Sequence, residues 1–216
     1  MNCSKTSNND NFAENQYNKM VNTPVSKLIT SLAIPTVISM LVTSIYNMAD
    51  TFFVSQISTQ ASAAVGVVFP IMSIIQAFGF TLGMGSGSLI SIRLGQKRNE
   101  EANVIVSTAF FTAIGIGFLI TILGIIFSTQ FLSLVGASNT ILPYAQDYAK
   151  YIFFGAPIMT ASFVLNNVLR SEGKAFFSMI GLTTGGILNI ILDPIFIYAL
   201  DLGISGAAIA TLCSQS

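Results

Sequence analysis

The sequence predicts an all-α membrane protein, and this class rests on composition and on the length of the apolar runs. Hydrophobic residues make up 52% of the 216-residue chain and charged residues only 8%, whereas soluble proteins have about 25% charged residues. The apolar runs are roughly 20 residues long, which is the length that an α-helix needs to cross a bilayer. The net charge is zero, and Cys3 and Cys213 form no disulfide framework or metal-ligand pattern. Nothing in the composition therefore indicates a nucleic-acid partner or a structural metal.

The N-terminal segment differs from the rest of the chain. Residues 1–23 are rich in Asn and other polar residues and lack the apolar core of a cleaved signal peptide. We predict that this segment is a disordered tail and that residues 24–216 form one transmembrane domain. The predicted helices of this domain cover about residues 25–55, 62–92, 103–128, 144–169, 175–200 and 205–216. The last one has about ten residues where a span needs about 20, so we predict an incomplete helix.

Proline and glycine residues shape the first two spans. Pro24 suits a first helical turn, so the first span is predicted to begin there. Pro35 lies inside this span and leaves a carbonyl unpaired, which predicts a bend or a hinge. Gly79, Gly83 and Gly87 recur every four residues in the second span and predict close packing against another helix. A phosphate-binding loop is disfavoured because this glycine-rich run has no Lys-Ser or Lys-Thr ending.

The connections between the spans differ in charge and length. Residues 93–101 carry the main charge cluster and predict a solvated loop or an interfacial helix. Residues 128–143 mix Gly, Ser, Asn and Thr with apolar residues, which is typical of a longer connecting loop. Residues 170–174 and 201–205 are predicted to be short turns.

The distribution of Lys and Arg predicts the orientation, because cytoplasmic loops of membrane proteins are enriched in both residues. Only Lys150 falls on one side of the predicted spans. The other eight fall on the opposite side: Lys5, Lys19, Lys27, Arg93, Lys97, Arg98, Arg170 and Lys174. The N-terminus is therefore predicted to be cytoplasmic.

Two carboxylates interrupt the apolar runs. Asp193 lies within the apolar segment 176–200, and Asp50 lies near the end of the first run, with Tyr46 and Asn47 about one turn before it. An ionisable group at membrane depth costs roughly 3 kcal/mol, so it usually faces a protein interior and marks an ion or substrate path. Both carboxylates fall in the outer half of the membrane, where they can face each other. The alternative is that both are solvated helix ends at the membrane boundary.

Further polar groups accompany the second carboxylate. Asn189 lies one turn before Asp193 on the same helix face, and Pro194 removes a backbone donor directly after it. In the last predicted helix, Thr211 falls at the same depth and Ala207 lies one turn before it. Two spans that both run outward and the start of an inward-running third helix thus bring oxygen-bearing groups to one level of the membrane.

Several short stretches, spread from about residue 24 to the end of the chain, form a combination that is specific although no single piece is. They are Leu32-Ala33-Ile34-Pro35, Asn47-Met48-Ala49-Asp50-Thr51, Gly83-Met84-Gly85-Ser86-Gly87-Ser88, Arg93-Leu94-Gly95, Leu169-Arg170-Ser171-Glu172-Gly173 and Asn189-Ile190-Ile191-Leu192-Asp193-Pro194. Together they resemble the multidrug and toxic compound extrusion (MATE) transporters, on the side of the DinF-type proteins and the Gram-positive multidrug exporters.

The resemblance implies a fold and a site. The fold is twelve helices in two six-helix lobes, of which this chain resembles the first lobe with its last helix cut short. The site is a cation site of this lobe, carried by Asp50, Asn189, Asp193, Thr211 and the Ala207 carbonyl. By the same resemblance Tyr46 and Asn47 line the pocket, and Pro35 matches a proline at which the first helix bends in some members. Oxygen ligands suit a hard cation such as Na⁺, and two nearby carboxylates can instead hold a proton.

The function that the resemblance implies is transport and not catalysis. The expected protein is an antiporter of the bacterial cytoplasmic membrane that takes part in antibiotic resistance. It exports lipophilic, often cationic, drug-like compounds in exchange for H⁺ or Na⁺ and uses no cofactor besides the coupling ion. Its expected partners are membrane lipid, small-molecule substrates and a second, C-terminal lobe.

Three other functions are weighed against this one. A lipid-linked oligosaccharide flippase of the same superfamily is expected to have a basic cavity for pyrophosphate, whereas here nearly all Lys and Arg lie in cytoplasmic loops. An intramembrane aspartyl protease also has two membrane aspartates, but it needs a Gly-x-Gly-Asp motif, and the Gly-x-Gly runs here continue into Ser. A channel does not require paired acids within one lobe.

Overall fold

The computed structural model describes residues 22–215, and within this range the chain is helical. Nearly all of the predicted tail 1–23, with Cys3, Lys5 and Lys19, lies outside the described residues. A π-helical turn, Ile195–Ala199, extends the sixth helix. The α-helices are α1 (Val25–Ser55), α2 (Thr59–Gly95), α3 (Asn99–Ile126), α4 (Ser128–Val135), α5 (Leu142–Ser171), α6 (Ala175–Pro194) and α7 (Gly203–Gln215).

Five of these helices are long and apolar enough to cross a membrane. They are α1, α2, α3, α5 and α6 with its π-helical extension, and their mean hydropathy lies between 1.6 and 2.4. The α7 helix has 13 described residues. Many large apolar side chains are exposed on the outer faces of the bundle, Met48, Phe111 and Phe154 among them. Such a surface suits hydrocarbon and not water, as expected of membrane-spanning helices.

The predicted loop 128–143 is wrong in its first half, because residues Ser128–Val135 form the short helix α4. Tertiary contacts stabilise this helix: Leu132 is fully buried, and Gln146 of α5 donates a hydrogen bond of 2.8 Å to Thr129. The helix ends at Gly136, whose φ of 106° lies in the left-handed region that glycine adopts readily. The connection between α3 and α5 is therefore mostly ordered secondary structure.

The α5 helix is the central element and packs against α2, α3 and α7. Its contact with α2 is close because Gly79, Gly83 and Gly87 face it. A Cβ atom added at Gly83 would lie 2.8 Å from the Cβ atom of Asn167, and one added at Gly79 would lie equally close to Phe163. The glycine stripe thus lets the two backbones approach each other, as small residues do in other membrane helix pairs.

The α1 helix lies at the edge of the bundle and packs mainly against α6. Its buried side chains form a single stripe, Ser39, Tyr46, Asp50 and Val54. The helix is continuous through Pro35, whose carbonyl accepts a hydrogen bond of 2.8 Å from the Ser39 hydroxyl. Because α1 is packed on one face only, it can shift while losing relatively few contacts.

Candidate cation site

The side chains of Asp193 and Asn189 lie on the buried face of α6. Both are 0% exposed, and the Asn189 amide donates to Oδ1 of Asp193 at 3.4 Å. This pairing follows from the four-residue spacing, which places the two side chains one helical turn apart. Pro194 has no N–H group, and directly after it the α-helix widens into the π-helical turn. Asp193 therefore lies where the regular hydrogen bonding of the helix ends.

The α1 helix brings Asp50 to this position. Asp50 is 8% exposed and lies within electrostatic range of Asp193. Their burial does not fit the alternative that both carboxylates are solvated helix ends. The salt bridges among the described residues involve Glu101 and Glu172 and neither of these aspartates. Two acidic groups from different helices thus share a buried region without a neutralising Lys or Arg.

Helix α7 adds Thr211 and Ala207 to the same region. Thr211 is 3% exposed and Ala207 is fully buried, and the two lie one turn apart on one face of α7. This helix can pack closely because Gly206 faces the π-helical turn: a Cβ atom added there would lie 2.6 Å from the Phe196 carbonyl oxygen. The structure therefore brings the buried faces of α1, α6 and α7 together.

Tyr148 of α5 is a further member that the sequence analysis did not single out. The side chain is fully buried, and its hydroxyl lies near Asp50 and Thr211 and within electrostatic range of Asp193. This hydroxyl has no well-formed hydrogen bond among the described residues. A buried phenol oxygen without a partner is unfavourable unless a ligand completes its hydrogen bonding.

The predicted pocket-lining residues Tyr46 and Asn47 differ in position. Tyr46 is buried, lies within electrostatic range of Asp50 and accepts a hydrogen bond of 3.4 Å from Gln215. Asn47 is half-buried and does not line the cavity beside Tyr46. One residue along a helix turns the side chain by about 100°, so Tyr46 and Asn47 cannot face the same space.

This cavity lies between α1, α5, α6 and α7 and has a volume of about 210 Å³. Its wall is mostly polar or small, and no Lys or Arg belongs to it. The residues that line it are Thr43, Tyr46, Ser162, Phe163, Asn166, Gly181, Leu182, Gly185, Gly186, Ser214 and Gln215. Because Tyr46 belongs to this wall and also neighbours Asp50, the cavity and the carboxylates share one side chain.

The oxygen atoms of the site suit a small hard cation. The buried oxygens without a hydrogen-bond partner among the described residues include four of this site: Oδ1 of Asp50, Oδ1 of Asn189, Oδ2 of Asp193 and the Tyr148 hydroxyl. Carboxylate, amide and hydroxyl oxygens are ligands that hard cations prefer. A proton on one carboxylate would also relieve the repulsion between the two. These are therefore the kinds of group that a Na⁺ or H⁺ site would use.

Comparison with known proteins identifies the family. A family model described as MatE matches residues 35–195, which is most of the chain and includes Asp50 and Asp193. The chain belongs to the MatE family. The resemblance inferred from the sequence motifs is thereby confirmed.

Named relatives of this family include transporters. The chain is 33% identical over 199 residues to a FAD transporter of Shewanella oneidensis, covering 90% of the chain and 44% of that protein. It is 32% identical to the multidrug export protein MepA of Staphylococcus haemolyticus, covering 89% of the chain and 43% of MepA. The chain therefore spans a little under half the length of these curated relatives.

Solved structures of MATE transporters have the same fold. A MOP superfamily transporter from Pyrococcus furiosus superposes with a TM-score of 0.86 at 36% identity, covering 91% of this chain and 44% of that one. A MATE transporter in its bent conformation gives a TM-score of 0.83 at 37% identity. The predicted fold class, an all-α membrane protein corresponding to one lobe of a MATE-type transporter, is confirmed.

Proposed function

We propose that this MatE chain is the cation-binding lobe of a multidrug efflux antiporter, which exports lipophilic, often cationic, compounds in exchange for H⁺ or Na⁺. The names of the MepA relatives support multidrug export. The solved neighbour described as an outward-facing multidrug resistance MATE family transporter supports alternating access. Because the chain covers about 44% of that neighbour, the working transporter requires a second lobe that completes the substrate path.

The observation that carries this proposal is the buried pair Asp50 and Asp193. The two acids belong to different helices, and neither forms a salt bridge among the described residues. Two like charges at this depth are unfavourable in the ionised form, so a bound cation or proton stabilises the lobe. Its release leaves two carboxylates that repel each other.

This repulsion supplies the coupling. An ion can shift an alternating-access equilibrium only by binding one conformation more tightly than the other. When H⁺ or Na⁺ enters from outside and binds, α1 and α6 are drawn together at Asp50 and Asp193. When the ion leaves, α1 is the helix that can move, because it is packed on one face only. Pro35 is our candidate for the hinge of this movement.

The cavity beside Tyr46 is the proposed substrate contact of this lobe. Its volume of about 210 Å³ is smaller than the roughly 300–1,000 Å³ of a complete drug pocket, so it holds part of a substrate and the second lobe holds the rest. Its wall contains polar and apolar residues but no Lys or Arg. This composition favours cationic or neutral compounds over pyrophosphate-containing ones, and therefore disfavours the flippase alternative. Family membership also disfavours the intramembrane protease, since MATE proteins are transporters.

We propose that the protein lies in the bacterial cytoplasmic membrane with its N-terminus in the cytoplasm. Among the described residues, Arg93, Lys97 and Arg98 share one predicted side with Arg170 and Lys174, which supports this orientation. The carboxylates then lie nearer the outer ends of α1 and α6, where an external ion can reach them.

Ethidium efflux from cells that express the two-lobe protein tests the function. We expect Asp50→Asn and Asp193→Asn to abolish ion-dependent efflux while membrane insertion is retained, because each amide preserves the shape but not the charge. The matched control is Asp201→Asn, since Asp201 is exposed and its φ of 52° suits Asn as well. If both Asp50→Asn and Asp193→Asn exported ethidium at the wild-type rate, the proposed function would be contradicted.

A further inference from the structure

A chain of three polar side chains runs from the end of α5 to the wall of the cavity. Arg170 donates from Nε to the Ser178 hydroxyl at 3.2 Å, and this hydroxyl donates to Oδ1 of Asn166 at 3.0 Å. Ser178 is fully buried on α6, and Arg170 is half-buried. Asn166 belongs to the wall of the cavity. A charged group that lies outside the cavity is thus connected to it by one buried hydroxyl.

These hydrogen bonds determine how the Asn166 amide is oriented. Its Nδ2 group donates to the backbone carbonyl of Ser162 at 3.0 Å. A carbonyl accepts but cannot donate, so rotating the amide by 180° would bring two acceptors together there. Oδ1 must then face Ser178. The second N–H of the Asn166 amide forms no hydrogen bond among the described residues.

Arg170 is what keeps the Ser178 hydroxyl directed at Asn166. A serine hydroxyl in a helix can instead donate to the carbonyl four residues earlier, as Ser39 and Ser86 do in this chain. The Nε–H group of Arg170 donates to the Ser178 hydroxyl oxygen. The hydroxyl hydrogen therefore points away from Arg170, toward Oδ1 of Asn166. Hydrogen bonds in series polarise one another, which strengthens the remaining Asn166 N–H as a donor.

We propose that Arg170 is a positioning residue for substrate recognition: through Ser178 it fixes the Asn166 amide so that one N–H meets a carbonyl oxygen of the ligand. This inference rests on the proposed function, because it assigns substrate to the cavity. It adds a selection rule to that function. Lipophilic cations that carry a hydrogen-bond acceptor bind more tightly than cations of the same shape that carry none.

The test compares two ligands that differ in one acceptor group. Tetraphenylphosphonium is a lipophilic cation without a hydrogen-bonding group, and a derivative with one acetyl group on a ring adds a single carbonyl. Equilibrium dialysis of both radiolabelled probes against the purified chain measures the two dissociation constants. We expect Arg170→Met and Ser178→Ala each to raise the constant of the acetyl derivative about fivefold, the usual effect of one lost hydrogen bond, without changing that of tetraphenylphosphonium.

Two further variants test whether the residues act in series. In Arg170→Gln the side-chain N–H occupies the position of the arginine Nε, so binding of the acetyl derivative should be retained. The double variant of Arg170→Met and Ser178→Ala should bind like either single variant, because one relay can be broken only once. If Ser178→Ala fails to fold, the Arg170 variants still test the proposal. Arg170 is only half-buried, so its substitution should leave the fold intact.

The control variants are Arg93→Met and Ser86→Ala. Arg93 forms a salt bridge of 3.2 Å with Glu101 at the end of α2, and Ser86 bonds only carbonyls of its own helix among the described residues. Neither should change the binding of either probe. The proposal would be contradicted if Arg170→Met weakened the binding of both probes equally, or if it left the binding of the acetyl derivative unchanged. Failure of the wild-type chain to bind either probe would instead contradict the substrate cavity itself, and this inference with it.

Discussion

Tyr198 donates a hydrogen bond of 2.9 Å to the backbone carbonyl of Phe53 and so joins the end of α1 to the π-helical turn after α6. Phe53 lies one turn beyond Asp50, and Tyr198 lies five residues beyond Asp193. The contact therefore links the two helices that carry the candidate cation ligands, next to those ligands. In the proposed mechanism it helps to hold α1 against α6 while an ion is bound.

We predict that Tyr198→Phe weakens Na⁺ binding by at most about fivefold, because it removes one partly exposed hydrogen bond and leaves the ring in place. Titration of the purified chain with Na⁺, followed by tyrosine fluorescence, measures this. The chain has no Trp, so tyrosine emission can be observed directly. Tyr144→Phe is the control, since Tyr144 is similarly exposed at the start of α5. Equal effects of the two substitutions would mean that the contact does not support the site.

The close approach of α3 and α5 gives a prediction about stability. A Cβ atom at Gly117 would overlap the Cα atom of Pro157, and backbone cannot rotate away as a side chain can. We expect Gly117→Ala to destabilise the chain by about 1–3 kcal/mol. At Gly115, two residues away, an added Cβ meets nothing within 4 Å. Gly115→Ala should leave the stability equal or slightly higher, since alanine favours the helix by about 1 kcal/mol.

Thermal unfolding of both variants in the same detergent tests this pair. The melting temperature should fall for Gly117→Ala and not for Gly115→Ala. Similar melting temperatures for the two variants would show that α3 and α5 are not packed as closely as the structure has them.

The orientation gives a prediction that depends on neither transport nor ligand binding. With Cys3 and Cys213 replaced, a cysteine at Asn99 should react only with thiol reagents that cross the membrane. A cysteine at Ser138 should react with an impermeant maleimide added outside intact cells. Asn99 is exposed at the start of α3, and Ser138 is exposed in the connection between α4 and α5, so accessibility should depend on the side of the membrane. The reverse labelling pattern would place Asp50 and Asp193 nearer the cytoplasm.

Much of the site could be inferred from the sequence because a carboxylate in an apolar run is conspicuous. Asp50 and Asp193 stand out for this reason, and helical spacing adds Asn189 and Tyr46. Tyr148 could not be found in this way. A tyrosine near the end of a span is ordinary, and only the packing of α5 against its neighbours buries the hydroxyl beside the acids. Its helical spacing from the apolar residues Ala145 and Ile152, three residues before it and four after it, was the signal available in the sequence.

The parts of the fold that could not be predicted depend on contacts between distant residues. The α4 helix is eight residues long, which is too short to be stable alone, so its sequence resembles a loop until it packs on α5. The α2 helix begins at Thr59, three residues before the predicted start, because the Ser58 side chain caps it by accepting from the Ala61 N–H at 3.0 Å. The hydrogen bonds from Arg170 to Asn166 join two helices and have no local pattern.

If Asp50 and Asp193 together hold the coupling ion, infrared difference spectroscopy of the purified chain should detect the protonation of these carboxylates. Acidification at low Na⁺ should produce a protonated-carboxyl band in the wild-type chain, and Na⁺ should suppress this band by competing for the same oxygens. This Na⁺-sensitive signal should disappear in the double variant of Asp50→Asn and Asp193→Asn and persist in Asp201→Asn. An unchanged, Na⁺-sensitive signal in the double variant would mean that the ion binds elsewhere and that the two carboxylates do not hold it.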